Sequence, residues 1–160
     1  VSAHMGHIFR HLAENPDQQE DLRQNPDKID SAITELMRAY GAVTITRTCV
    51  KDTEVAGIQI KEGDKVCYST ALAARDPEIY DEPEKIIFDR ESKSYSFGTG
   101  IHVCIGQHIA RRELRAAIRA LLELLPPFRI PPGTVIESDL GTVMMPLTLP
   151  LEWGIQDRGV

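Results

Sequence analysis

Apolar side chains recur at helical spacing in some stretches of the chain, and β-branched clusters fill others. Met5, Ile8, Phe9 and Leu12 mark a helix over residues 3–13. Asn15-Pro16 closes it, because proline disfavours helical geometry in the residue before it. Asp17–Gln24 reads as a short polar helix. Asn25 as N-cap and Pro26 in the first turn open the next helix. Ile29, Ala32, Ile33, Leu36, Met37 and Tyr40 give that helix one apolar face, and Gly41 stops it.

The period then changes. Thr44–Val50 and Val55–Ile60 read as strands, Lys61–Asp64 as a hairpin turn and Lys65–Ser69 as the returning strand. Residues 70–75 suggest a short helix before Asp76-Pro77. From there to Tyr95 the chain is charged and aperiodic, and a long irregular segment inside a compact domain commonly serves function. A second long helix starts near Ile105 or Gly106. Ile109, Leu114, Ile118, Leu121, Leu122 and Leu125 form its apolar stripe, Arg111, Arg112, Arg115 and Arg119 its basic side, and Pro126-Pro127 ends it. Short strands are expected around 128–130, 134–137 and 147–151. This order is not the strand–helix alternation of a doubly wound parallel sheet, so the predicted class is α+β, mainly α.

Composition narrows the function. With 160 residues, 42% of them hydrophobic, the chain can bury one core, and 26% charged residues is ordinary for a globular protein. A net charge of −6 argues against nucleic-acid binding through overall basicity. No apolar run approaches the ~20 residues of a membrane helix. Three cysteines are too few, and odd in number, for a secreted disulfide scaffold, which favours a reduced, cytoplasmic setting. The chain opens on Val1, already in a helical pattern and with no signal peptide, and is expected to be a piece of a longer protein. Gln156–Val160 reads as a natural tail.

The most informative segment is Phe97-Gly98-Thr99-Gly100-Ile101-His102-Val103-Cys104-Ile105-Gly106. Gly98 and Gly100 allow positive φ and close backbone approach to a flat object. Cys104 falls at the predicted helix start, where free N–H groups and the macrodipole stabilise a thiolate. Such a cysteine suits the single axial ligand of a planar metal macrocycle. Taken by itself, such a cysteine is more often a buried structural thiol in a turn. Gly98-x-Gly100 also resembles half a dinucleotide loop, but the third glycine is misplaced and Ser92–Ser96 makes a poor preceding strand. A zinc site from His102, Cys104 and His108 lacks any C-x-x-C pair, and Cys49 and Cys67 stand apart. Glu35 and Arg38 are i, i+3 on one helix face, a pair worth a few tenths of a kcal/mol when exposed. Arg90, after Phe88-Asp89, reads on its own as a surface charge.

Taken together, these features resemble the cytochrome P-450 superfamily of haem-thiolate monooxygenases. The shared order is a Glu-x-x-Arg helix, a strand pair, an irregular meander with an arginine, Phe-x-x-Gly-x-His-x-Cys-x-Gly, and a long helix. Arg47-Thr48, Asp52-x-Glu54-x-x-Gly57, Gln107-His108, Ala110-Arg111-Arg112-Glu113 and Leu149-Pro150-Leu151-x-Trp153 resemble the bacterial class I, camphor-hydroxylase-like group. The likeness covers essentially all 160 residues.

The resemblance implies roles. Cys104 would be the catalytic residue and the proximal iron ligand of haem b. Phe97, Gly98, Gly100 and Gly106 would also bind the haem, Phe97 packing beside the ring near the sulfur and the glycines letting backbone approach it, and Arg47 and His102 would hold the propionates. Glu35, Arg38 and Arg90 would form a buried ion network. Val43, Ile45, Thr142 and Val143 would line the pocket of a small hydrophobic substrate. Arg111 and Arg112 would face an acidic ferredoxin, with electrons reaching it from NAD(P)H through a ferredoxin reductase. Thr99, Val103 and Ile45 depart from residues common at their positions, which bears on tuning and propionate contacts. The chain would start just after the acid–alcohol motif of the distal helix. Residues 1–160 would then be the C-terminal, haem-ligating part of one domain, lacking the N-terminal part and most of that helix. The implied reaction is insertion of one atom of O2, with the chain inactive alone. The alternative is a non-catalytic haem-binding fragment or truncated remnant. A second chain supplying the missing part is a further candidate partner.

Overall fold

A computed structural model describes residues 1–91 and 94–154. Ser92, from the segment read above as a poor strand, and the Gln156–Val160 tail lie outside them. The helices form largely where the apolar period places them. α1 is Ser2–Glu14, α2 is Pro16–Gln24, α3 is Ile29–Ala39 behind a 3-10 turn at Pro26–Lys28, and α4 is Thr70–Ala73. α5 is Gln107–Leu124. Ile8 and Leu12 of α1, Leu22 of α2, Ile33, Leu36 and Met37 of α3 and Leu114, Ile118 and Leu122 of α5 close one core, with Phe88 from the irregular segment and Phe128 from the chain beyond α5. None of the described helices is long and apolar enough to cross a membrane.

Small antiparallel pairs surround this core. β1 (Thr44–Thr48) pairs with β4 (Lys65–Ser69), and β2 (Thr53–Val55) with β3 (Ile58–Ile60). β5 (Phe128–Arg129) pairs with β8 (Glu152–Trp153), and β6 (Ser138–Leu140) with β7 (Met144–Pro146). The final hairpin reaches back to β1. Val143 bridges to Val43, Thr44 N–H donates to Thr142 O at 2.9 Å, and Met144 N–H donates to Ala42 O at 2.8 Å.

Several expectations need correction. Val55–Ile60 is not one strand. Ala56 and Gly57 both take positive φ (51° and 79°), so the run folds on itself as the β2–β3 hairpin. Lys61–Asp64 therefore does not return the chain onto β3. Cys49 N–H bonds Asp64 O and Gly63 N–H bonds Cys49 O, and β4 is delivered to β1 instead. Asn25 makes no N-cap bond; its amide donates backwards to Asp21 O at 3.1 Å and Asp21 Oδ1 at 2.8 Å. Ile109 is 64% exposed, off the α5 stripe that buries Leu114 and Ile118. The strand expected at 134–137 lies instead at 138–140, and residues 147–151 form no strand but link β7, which ends at Pro146, to β8, which starts at Glu152.

One buried polar residue was hidden in the polar helix α2. Gln19 Nε2 donates to Leu12 O and Phe128 O, each at 2.9 Å, and Gln19 Oε1 accepts from Phe128 N–H at 3.1 Å. It satisfies β5 backbone that water cannot reach. At the end of α3 the packing is tighter still. A Cβ on Gly41 would sit 2.7 Å from Ala71 N and Thr70 C, both backbone atoms. Gly41→Ala is therefore expected to destabilise the fold by ~1–3 kcal/mol, as other overpacking changes do. Denaturant unfolding of the two proteins checks this, and a midpoint unchanged at constant slope would contradict it.

Candidate functional site

Strand geometry places alternate residues on one face, and Val43, Ile45 and Arg47 do lie on one wall of a cleft of about 330 Å³. Phe97, Gly98, Thr99, His102 and Cys104 form another part of its lining, and Val1 and His4 contribute from the start of the chain. Sequence reasoning missed His4, Tyr68 and Ser96. Tyr68 sits directly across from Ile45 in the β1–β4 register, so a correct pairing of β4 would have found it.

The loop is wound by its own backbone. Gly98 N–H donates to Tyr95 O at 2.8 Å, Cys104 N–H to Phe97 O at 2.9 Å and Val103 N–H to Gly100 O at 3.2 Å. Gly98 at φ 71° and Gly100 at φ 68° occupy the left-handed region that strains other residues. Gly106, not Cys104, caps α5, so Cys104 precedes the helix, and among the described residues no N–H donates to its sulfur. The thiol is exposed, and a Cβ on Gly106 would lie 3.9 Å from Sγ, an ordinary contact.

Arg47 and His102 are also exposed on this cleft. Arg47 Nη1 donates only to the neighbouring Thr46 O at 3.0 Å, and neither residue pairs with a carboxylate among the described residues. His4 is the reverse case. It is 8% exposed, and its Nε2 is buried with no partner among the described residues. Burial, with His7 adding to it, pushes its imidazole down to about 4. His4 is therefore neutral near pH 7. Thr142 and Val143 do not line the cleft; the Val43 bridge sets them beside it, and the Thr142 carbonyl holds β1.

Below the cleft, Glu35 and Arg38 are 3% and 1% exposed, so the pair is no surface bridge. Arg38 Nε and Nη2 grip Glu35 Oε2 and Oε1 at 2.8 and 2.9 Å. The remaining guanidinium protons go to Ala74 O at 2.7 Å, Pro83 O at 2.9 Å and Lys85 O at 3.0 Å, and the guanidinium lies 5.3 Å from the Tyr80 ring centre. Arg90 Nε donates to Glu35 Oε1 at 3.0 Å, and its Nη atoms bond the carbonyls of Asp81, Glu82 and Lys85. Burial alone would raise the Glu35 carboxyl. Hydrogen bonds from Arg38, Ile87 N–H and Arg90 overcome that and hold it below the usual carboxylate range. One carboxylate and two guanidiniums thus satisfy the turn-by-turn carbonyls of an irregular segment. Ser96 Oγ, bonded to Met37 O, ties the cysteine loop to the same helix.

The two basic residues expected to face outward separate. Arg112 is exposed. Arg111 is half-buried, with Nη1 2.9 Å from Thr34 Oγ1 and its guanidinium 5.3 Å from the Phe97 ring centre. No three His, Cys, Asp or Glu side chains among the described residues are placed to hold a metal ion together, so His102, Cys104 and His108 form no zinc cluster. What the cleft offers is one soft sulfur, two uncommitted nitrogen donors for anions, and apolar walls.

Comparison with known proteins agrees with that chemistry. The family model described as Cytochrome P-450 matches residues 10–150. The probable cytochrome P-450 127A1 of Sinorhizobium fredii is 39% identical over 154 residues, covering 96% of this chain and 37% of that protein. Nocardicin C N-oxygenase of Nocardia uniformis is 33% identical over 148 residues, covering 89% of this chain and 37% of its own length. The crystal structure of cytochrome P-450 CYP101C1 superposes with a TM-score of 0.90 at 35% identity, over 94% of this chain and 39% of that one. The chain therefore spans somewhat over a third of the length of these relatives.

Proposed function

The chain belongs to the cytochrome P-450 family, and from that membership we propose that it is the haem-ligating part of a monooxygenase acting on a small hydrophobic substrate. The observation that carries the reading is the meeting of Cys104, Arg47 and His102 on one apolar-walled cleft. The residues fit haem b. Cys104 presents an unpaired sulfur. Arg47 and His102 are free to take two carboxylates, for which a guanidinium fork is well shaped. Gly98 lets backbone lie close to a flat ring, and Val43, Ile45 and Phe97 supply apolar contact. When bound, haem supplies a thiolate-ligated iron at which O2 is reduced and activated.

The protein's own share of the chemistry is positional. The Phe97 carbonyl fixes the Cys104 N–H and thereby the backbone from which the sulfur projects. The Glu35–Arg38–Arg90 network holds the meander beneath the loop. Val43 and Ile45 exclude water along one wall and leave substrate selection to apolar fit. Each methylene there discriminates by only ~1–3 kcal/mol. Electrons would come from NAD(P)H through a reductase and an acidic ferredoxin docking near Arg112, and a cytoplasmic location suits the unpaired cysteines. A second reading is a haem-binding remnant without turnover.

The test is to load the protein with haem, reduce it under CO, and then supply NADH with ferredoxin and its reductase. The reading expects a red-shifted Soret band of thiolate-ligated haem. For residues 1–160 alone it expects NADH consumption without coupled hydroxylation, since an open site does not exclude water. A CO complex of the non-thiolate type would overturn it. Coupled product at the level of longer relatives would overturn the expected inactivity of the chain alone.

A further inference from the structure

We propose that Arg111 is a positioning residue for the Cys104 loop, acting through Phe97, and is not a cation presented to a partner. The inference rests on Cys104 being the iron ligand. Its own basis is a relay of contacts. Cys104 N–H donates to the Phe97 carbonyl at 2.9 Å, so the place of residue 97 sets that of the Cys104 backbone that carries the sulfur. The Phe97 ring packs against the main core, and the Arg111 guanidinium lies over it at 5.3 Å from its centre. Arg111 is in turn fixed by Thr34, whose Oγ1 accepts from Nη1 at 2.9 Å. Thr34 immediately precedes Glu35 on α3. Arg111 therefore couples α5, α3 and the loop at one point.

This arrangement does two things that a surface arginine does not. A cation over an aromatic face resists displacement of the ring. It also keeps a permanent positive charge beside the loop at any working pH, because the guanidinium does not deprotonate. One step along the helix turns a side chain by roughly 100°, and Arg112, so turned, is the exposed one. Planarity matters in the stack, so lysine is a poor substitute at position 111 and a fair one at an exposed site.

The experiment compares Arg111→Gln, Arg111→Lys and Thr34→Val with Arg115→Gln in the haem-loaded protein. Arg115 is the control, because it also ties α5 to α3, through Asp30 at 2.6 Å, but is exposed and remote from Phe97 in its contacts. The readouts are the share of the ferrous–CO complex with the thiolate Soret band, the iron reduction potential and the thermal midpoint. Arg111→Gln is expected to raise the non-thiolate share by roughly threefold to tenfold and to shift the potential, the loss of one stacked cation and one hydrogen bond. Arg111→Lys should recover only part of this, and Thr34→Val should fall between. Arg115→Gln should move the midpoint alone. If Arg111→Gln changes the midpoint as Arg115→Gln does but leaves band and potential at the parent values, the proposal is wrong. If the parent protein itself lacks the thiolate band, the assignment of Cys104 fails instead.

Discussion

Replacing Cys104 with histidine will abolish the red-shifted ferrous–CO band completely, while Cys49→Ala and Cys67→Ala leave it in place. The contrast follows from position. Cys104 is the cysteine on the cleft that Arg47 and His102 share. Cys49 and Cys67 are committed elsewhere, Cys49 Sγ to Lys51 O at 2.9 Å and Cys67 Sγ to Thr46 Oγ1 at 3.2 Å. Histidine at 104 can still bind iron, but as a neutral imidazole it gives the iron less electron density than an anionic thiolate does. Haem retention with a shifted spectrum, rather than haem loss, is therefore the expected signature. A thiolate band surviving in Cys104→His, or lost in Cys67→Ala, would move the ligand to another sulfur.

Glu35→Ala is expected to cost ~3–5 kcal/mol and to prevent haem loading, because it leaves the guanidiniums of Arg38 and Arg90 buried without their shared carboxylate. Arg38→Ala should cost as much, since it strands Glu35 and also frees the carbonyls of Ala74, Pro83 and Lys85. The same network sets a pH dependence. The Glu35 carboxyl titrates lower in the folded protein than its unfolded value of roughly 4.3. Its contribution is then whole above that value and is lost as pH falls through the lower, native one. Denaturant unfolding from pH 7 to pH 3 should show this acid loss in the parent protein and not in Glu35→Gln. Haem-loaded Glu35→Ala at parental yield and stability would show that the network is dispensable.

How far these features can be read from the residues depends on the range over which their causes act. The faces of α1, α3 and α5 are written in a repeat of three to four residues, and the Phe97–Gly106 loop in local glycine chemistry. Both are legible. Glu35 and Arg38 show their i, i+3 spacing in the sequence, but their burial comes from carbonyls up to 47 residues away, and no local pattern encodes that. Without the family likeness the pair would pass for a solvent bridge. The β2–β3 hairpin was illegible for a different reason. Its turn at Ala56-Gly57 lies within a run of β-branched residues, so the propensity of the strands masked the reversal between them. Arg111 and Arg112 are adjacent and chemically alike. Only the location of the Phe97 ring tells which of them is occupied.

The return of the last hairpin to the first elements has a kinetic consequence. His7 Nε2 meets Met144 O at 3.1 Å, and Val43 meets Val143. During synthesis at about 5–20 residues per second, His7 emerges roughly 7–27 s before the residue that anchors it. The cysteine loop and α5 are made within that interval, while α1 still lacks the β7 side of its packing. Closure of this unit is thus a late step of high contact order, slow compared with the formation of its helices. A ribosome-stalled chain ending before Met144 should display α1 to protease and should not retain haem, even though Cys104 has already been synthesised.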